Sequence, residues 1–139
     1  MGCDMVYPAS GKTHFYGTGT ADPLREDITL ISLEAKAARL YALALAQGCE
    51  ISNLSKETSR LIAPRRSLSE PRPKPFKIDK VQKAHALARE QELAYYVKSG
   101  RYWEELERFD IKQIKRLDAL WSTVVIAPPQ GVVAPMRSH

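Results

Sequence analysis

The chain has 139 residues, and its 21 lysines and arginines exceed its 16 acidic residues, which gives a formal charge of +5. Nine prolines and seven glycines interrupt the apolar segments, so we expect only a small hydrophobic core. A positive chain favours an acidic partner: an acidic protein face, nucleic acid or anionic lipid. The longest mainly apolar run, residues 35–46, contains Lys36 and Arg39 and falls short of the roughly 20 residues that cross a bilayer, so no membrane span is predicted.

Residues 1–21 show neither a helical nor an alternating apolar period, which predicts an extended amino-terminal arm. They also lack the apolar run of a signal peptide and the arginine-rich helix of a mitochondrial presequence. The stretch Ser10-Gly11-Lys12-Thr13 ends like a phosphate-binding loop, but Val6 stands where the first glycine of that loop is required, so a nucleotide hydrolase is not predicted. The arm's aromatic residues are the predicted partner contacts: Tyr7, Phe15 and Tyr16.

Residues 22–62 are predicted to form a helical segment. Its long helix begins at Asp22-Pro23, where an aspartate cap precedes a proline suited to the first turn, and ends near Gly48. Two apolar stripes indicate two contact faces, so we expect the helix to lie between neighbouring elements or between this chain and another, with a helix in the core of an ordinary bundle as the alternative. A short second helix over residues 53–62, stopped by Pro64, would brace the first.

Residues 63–77 are predicted to be an extended, proline-rich basic linker. Prolines at positions 71, 73 and 75 fix an extended backbone, but their spacing does not match the PxxP pattern of an SH3 ligand. The basic side chains are expected to seek an acidic surface. Four of them are the predicted partner contacts of this segment: Arg65, Arg66, Arg72 and Lys74.

Residues 78–124 are predicted to form a helical hairpin. The first helix is capped by Asp79 and runs to Lys98, a turn follows at Ser99-Gly100, and the second helix covers residues 102–124. Paired helices would bring Tyr95, Tyr96, Tyr102 and Trp103 together as a small core. The alternative is one long helix with an internal glycine, which costs roughly 1 kcal/mol relative to alanine.

Residues 125–139 are predicted to be an extended carboxy-terminal tail. Its apolar β-branched pairs are bounded by prolines, which suits a strand laid into a groove of a partner. Val132 and Val133 are the predicted contacts there. The alternative is a strand that folds back onto the helices of the same chain.

No constellation of residues predicts catalysis, a cofactor or a metal site. Three histidines, His14, His85 and His139, are scattered over three segments without zinc spacing, and the glutamate runs are typical of solvated helix faces. Two cysteines, Cys3 and Cys49, are too few for a disulfide framework. We therefore predict a protein that is not an enzyme.

Two classes of function remain. The first is a non-catalytic structural accessory subunit that staples a large multi-subunit protein assembly with its arms and tail. This architecture is similar in style to the small proteins bound to ciliary doublet microtubules, and equally to supernumerary subunits of mitochondrial respiratory complexes or mitoribosomes. The lack of a presequence favours the cytoskeletal, ciliary version over the mitochondrial one.

The second class is a basic nucleic-acid-binding protein, in which the arginines and lysines between residues 60 and 83 contact phosphates. Only Phe76 is interleaved with that basic run, whereas stacking surfaces combine several aromatic residues with the charge. An acidic protein surface is therefore the expected partner, ahead of nucleic acid.

Overall fold

The computed structural model describes residues 32–57 and 59–128. Within these ranges the chain forms three α-helices, α1 (Leu33–Ala46), α2 (Lys80–Glu92) and α3 (Ile111–Ser122). Two short strands, β1 (Lys77–Ile78) and β2 (Val125–Ile126), form the accompanying sheet. The predicted mainly helical fold class is confirmed.

Each helix begins at a side chain that caps its first turn. Ser32 accepts a hydrogen bond from the Ala35 N–H at 3.2 Å, and Asp110 accepts one from the Lys112 N–H at 2.7 Å. Asp79 accepts from two backbone N–H groups, each at 3.0 Å, which confirms the predicted cap. The predicted terminator of α1 is also confirmed, since Gly48 adopts a φ of +76° just beyond the helix. The predicted helix start at Asp22 lies outside the described residues.

The predicted brace helix over residues 53–62 is wrong. Asn53 instead forms a parallel bridge with Arg65, in which the Asn53 N–H donates to Pro64 O at 2.8 Å and the Arg66 N–H donates to Asn53 O at 3.0 Å. The Asn53 side chain also accepts from the Ser55 N–H at 2.9 Å and donates to Ser59 Oγ at 3.1 Å. Such local side-chain bonds compete with the helical backbone pattern.

The hairpin of residues 78–124 has shorter helices than predicted. α2 ends at Glu92 rather than at Lys98, and Ala94 then takes a left-handed φ of +46°. Residues 102–104 and 106–108 form two 3-10 turns, and Asp110 starts α3 anew. The single long helix is therefore excluded.

The two helices of the hairpin run antiparallel. The Asp79 N–H donates to Val124 O at 2.9 Å at one end, and Arg89 donates to Gln113 at 2.6 Å towards the other. β1 and β2 continue the pairing with Lys77 opposite Ile126 and Ile78 opposite Val125. Residues 125–126 thus pair with their own chain, which is the alternative that the sequence left open for the start of the tail.

The core is shared between the two predicted halves. α1 supplies small residues and one tyrosine, and its alanines let α3 pack closely against it. The last turns of the hairpin supply the largest buried side chains. The main cluster consists of Ala35, Ala38, Tyr41, Ala42, Ala63, Ala86, Leu117, Trp121, Val124 and Val125. The main core is therefore built jointly by α1, the linker and the hairpin.

A second, smaller cluster lies beside the main core. It contains Val97, Phe109 and Ile114, with Tyr95 and Tyr102 packed against it. The predicted small core of four aromatic residues is half right, because Tyr96 is 70% exposed and Trp103 is 56% exposed. A local aromatic cluster therefore exists, with two of the predicted rings outside it.

Candidate functional site: the aromatic cleft, the basic linker and the exposed loop

The basic linker is held to the helical domain near both of its ends. Ala63 and Pro64 are buried at its start. Towards its end the Phe76 N–H donates to the Tyr41 hydroxyl at 2.9 Å, and the two rings lie 5.8 Å apart. The stretch between them, residues 67–75, lies mostly on the surface. The linker is thus an ordered strap on the domain rather than a spacer between two separate bodies.

The four predicted contact residues of the linker are not gathered into one site. Arg65 donates to the carbonyl oxygens of Ser55 and Glu57 at 3.2 and 2.8 Å, so its guanidinium joins the linker to the preceding loop. Arg66 is half-buried, while Arg72 is 78% exposed and lies 3.7 Å from a Glu50 oxygen. Lys74 is exposed and makes no ion pair with the described residues. Their role in partner binding stays a prediction. The other predicted contacts lie outside the described residues: Tyr7, Phe15, Tyr16, Val132 and Val133.

A cleft of about 520 Å³ opens between α1, the end of α2 and the segment that follows it. We call it the aromatic cleft. The part of its lining that belongs to the described residues combines two cations, one carboxylate and three tyrosines. The lining residues are Lys36, Arg39, Glu90, Gln91, Ala94, Tyr95, Tyr96 and Tyr102.

A network centred on Glu90 fixes one wall of the aromatic cleft. Arg39 donates to both carboxylate oxygens, from Nε at 2.6 Å and from Nη2 at 3.1 Å. The Trp121 indole N–H donates to the same carboxylate at 2.7 Å, and the Arg39 guanidinium lies 5.6 Å from the Trp121 ring centre. The hydrogen bond that Arg39 donates to Glu90 raises the pKa of Arg39, against the opposing effect of burial. Glu90 is only 11% exposed and Arg39 is 41% exposed, so the carboxylate is largely shielded from water while the guanidinium is not.

A second ion pair lies deeper. Lys36 Nζ is 2.8 Å from Asp118 Oδ1 and 5.0 Å from the centre of the Tyr95 ring. Burial raises the pKa of Asp118 above its ordinary value, and the hydrogen bond from Lys36 opposes that rise. The Ser32 N–H also favours the charged carboxylate, but Oδ2 completes no hydrogen bond with any described residue. Asp118 is therefore an incompletely satisfied buried acid.

Tyr95 and Tyr102 form an aromatic wall of the cleft, and they pack on each other and on Phe109 in tilted and edge-to-face contacts. The Tyr95 ring lies 5.2 Å from Tyr102 and 5.0 Å from Phe109, and Tyr102 lies 5.9 Å from Phe109. Phe109 belongs to the second core cluster, so the tyrosines are packed against buried side chains. Tyr96 forms an exposed rim.

The loop of residues 93–109, called the exposed loop below, carries apolar surface into solvent. Tyr96 and Trp103 are exposed, while four of the loop's six charged side chains pair with each other: Arg101 with Glu104 at 3.2 Å, and Arg108 with Glu105. Further large apolar side chains are scattered over the surface of the described residues: Leu40, Leu54, Leu68, Val81, Ile111 and Ile126. The exposed loop differs from these positions because its two exposed apolar side chains, Tyr96 and Trp103, are aromatic and close in sequence.

The aromatic cleft was not predicted from the sequence. Its signal is the presence of two cations, Lys36 and Arg39, in the otherwise apolar run of residues 35–46. Their partners, Asp118 and Glu90, are 82 and 51 residues away, so spacing along the chain does not reveal the pairs.

No protein-family model, no curated protein and no solved structure matches this chain. In the part of the chain that the structure describes, no three His, Cys, Asp or Glu side chains are grouped to hold a metal ion. None of the described helices combines the length and the apolar character needed to span a membrane. A function is therefore argued from the surfaces themselves.

Proposed function

We propose that this protein is a non-catalytic accessory subunit that docks onto a larger protein assembly through the exposed loop. The observation that carries the proposal is the pair Tyr96 and Trp103, which are 70% and 56% exposed on an ordered loop. Tryptophan and tyrosine are enriched among the side chains that dominate protein–protein binding energy. In the free chain their apolar ring surfaces are exposed to water, which is unfavourable, and a groove on a partner would bury them.

The geometry behind the exposed loop favours docking. Tyr95, Tyr102 and Phe109 pack on one another beneath the surface, so the loop backbone is fixed before any partner binds. A preorganised loop loses little conformational entropy on binding.

The charges of the exposed loop favour a protein groove over a polyanion as the occupant. Arg101 and Arg108 are paired with glutamates of the same loop, and the other two charges of the loop, Lys98 and Glu107, are of opposite sign. The loop therefore carries no net positive charge that would attract a nucleic acid. An apolar groove on a protein, rimmed by polar groups, matches the loop better.

The basic linker supplies a second contact in this proposal. Arg72 and Lys74 are exposed on the ordered strap and are available to an acidic face of the same partner. The assembly proposed first is the ciliary doublet microtubule, with a mitochondrial respiratory complex or mitoribosome as the alternative. Both choices rest on the sequence architecture of arms, helices and tail.

The test is native purification of the tagged full chain, with mass spectrometry of the proteins that co-purify before and after nuclease treatment. We expect a nuclease-resistant set of proteins, and their identity decides between the ciliary and the mitochondrial assembly. The double variant Tyr96→Ala/Trp103→Ala should lose that set. Val81→Ala, which removes an apolar side chain that is 79% exposed on α2, is the matched control and should retain it. Loss of the partners on nuclease treatment would instead support nucleic-acid binding.

A further inference from the structure

We propose that the aromatic cleft is a binding site for a carboxylate carried on a flat apolar group. The inference goes beyond the docking function: the two surfaces meet at Tyr96, which lines the cleft and belongs to the docking pair, whereas Arg39 lies only in the cleft and Trp103 only in the docking pair. It rests on three observations: the hydrogen-bonding groups that the cleft leaves unused, the fixed position of Arg39, and the aromatic wall beside it.

Within the described residues, the charged groups of the cleft have more unused hydrogen-bond donors than unused acceptors. Glu90, the carboxylate of the described lining, already accepts three hydrogen bonds from Arg39 and Trp121, out of about four that a carboxylate can accept. Arg39 uses Nε and one position on Nη2, so the two N–H groups of Nη1 are not engaged by any described residue. Lys36 retains two N–H groups that bond to no described residue beyond Asp118. An acceptor-rich group, such as a carboxylate, complements this arrangement.

Arg39 is positioned in advance of any ligand. Its bidentate bond to Glu90 and its contact with Trp121 hold the guanidinium plane, and the side chain is still 41% exposed to the cleft. Because a ligand does not have to order a flexible side chain, less of its binding free energy is lost. Arginine is also the residue whose planar fork matches a carboxylate.

The aromatic wall supplies the apolar half of the site. Tyr95 and Tyr102 are packed on Phe109, and Tyr96 extends the surface at the rim. A flat ligand group can lie against these rings in offset or edge-to-face contact. The cleft volume of about 520 Å³ lies within the range of pockets that hold small organic ligands.

The test is a titration of the ¹⁵N-labelled full chain with naphthalene-2-carboxylate, followed through the tryptophan indole resonances. The chain has two tryptophans, so the indole region is simple. Trp121 donates to Glu90 and reports on the Arg39 network, whereas Trp103 is exposed outside the cleft lining. We expect a saturable shift of the Trp121 indole resonance and little change for Trp103.

Two controls make the result specific. Naphthalene-2-carboxamide has the same shape without the negative charge and should bind at least about tenfold more weakly. Arg39→Lys keeps the charge but removes the fork, and should weaken binding of the carboxylate at least about tenfold. Arg101→Lys, the same substitution outside the cleft, should bind like the natural chain. Because Arg39 lies 5.6 Å from the Trp121 ring centre, the backbone amide resonances outside the cleft, and not the Trp121 indole, show whether each free variant is folded.

Three outcomes would overturn the inference. The first is the absence of a saturable Trp121 shift up to the solubility limit of the carboxylate. The second is an equal affinity for the carboxamide. The third is unchanged carboxylate affinity in an Arg39→Lys variant whose free spectrum is native.

A second arm distinguishes the source of the carboxylate. The peptide acetyl-Gly-Gly-Trp with a free carboxyl end is compared with the naphthalene carboxylate, and its amidated form is the control. Tighter binding of the acid peptide assigns the site to the end of a protein chain, and tighter binding of the naphthalene carboxylate assigns it to a small molecule. Both results support a carboxylate site, and equal binding of the acid and amidated peptides contradicts a chain end as the ligand.

Discussion

The basic linker and the aromatic cleft use positive charge in opposite ways. In the linker, Arg72 and Lys74 point into solvent and contribute little to the fold. In the aromatic cleft, Arg39 and Lys36 are held by acidic side chains from distant helices, and they join α1 to α2 and α3. In this chain, the run of basic residues does not indicate which charges stabilise the fold. The two cations within the apolar part of α1 do indicate them, because both form ion pairs with other helices.

Removing the Glu90 carboxylate should have the largest effect on stability. Glu90→Ala leaves the Trp121 indole N–H without its acceptor and Arg39 without its ion pair, and should lower the free energy of unfolding by about 2–3 kcal/mol. Urea denaturation measures the change. Glu92→Ala, which breaks the exposed pair with Arg89, is the control and should cost less than about 1 kcal/mol. Equal losses for the two variants would contradict a special role of the network.

The attachment of the linker to α1 should be the next most sensitive point. Tyr41→Phe removes the hydroxyl that accepts from the Phe76 N–H and leaves that donor without its partner, at a cost of about 1–2 kcal/mol. Amide hydrogen exchange at Phe76 should accelerate in the variant. Tyr96→Phe removes a hydroxyl from an exposed ring and should change neither the free energy of unfolding nor the exchange rate at Phe76. Unchanged exchange in Tyr41→Phe would mean that the strap is held elsewhere.

Asp118 should give the fold an unusual pH dependence. Its pKa is raised in the folded protein, so the folded state binds the proton more tightly than the unfolded chain does. The contribution of Asp118 to stability is therefore greatest below its ordinary pKa and falls as the pH rises through the raised value. Asp118→Asn cannot titrate, so the stability of the natural chain minus that of the variant should decrease as the pH rises from about 3 to about 7. A difference that grows over this range would contradict the account.

The smallest losses of stability are expected for substitutions of basic side chains in the linker. Arg65→Ala removes two hydrogen bonds to carbonyl oxygens of the preceding loop and should cost about 0.5–1 kcal/mol. Lys74→Ala should change stability by less than about 0.5 kcal/mol, since Lys74 makes no ion pair with the described residues. Limited proteolysis near residues 55–57 should be faster in the first variant alone. Equal behaviour of the two would mean that Arg65 does not hold the loop.

The sequence predicted those features of the fold that depend on neighbouring residues. The cap at Asp79 and the terminator at Gly48 are set within one helical turn, and both are found where predicted. The brace helix failed because the Asn53 side chain bonds to nearby groups and its backbone pairs with residues 64–66 instead of continuing as a helix.

The aromatic cleft could not be predicted from the sequence because its ion pairs join residues that are far apart along the chain. Lys36 and Arg39 are explained only by Asp118 and Glu90, and nothing local to α1 indicates which distant acids will lie beside it. The shortened hairpin helices have the same origin, since Tyr95 and Phe109 leave the helical pattern to pack on each other. Tertiary packing, rather than propensity, determines this region.

The most direct test of the docking proposal compares the exposed loop with the basic linker in one binding assay. Association of the full chain with its native assembly is measured over a range of salt concentrations for Tyr96→Ala/Trp103→Ala and for Arg72→Ala/Lys74→Ala. The account predicts that the aromatic double variant loses most of the affinity at every salt concentration, while the charge variant loses only a small, salt-dependent part. Intact binding of the aromatic variant together with loss of binding in the charge variant would contradict it.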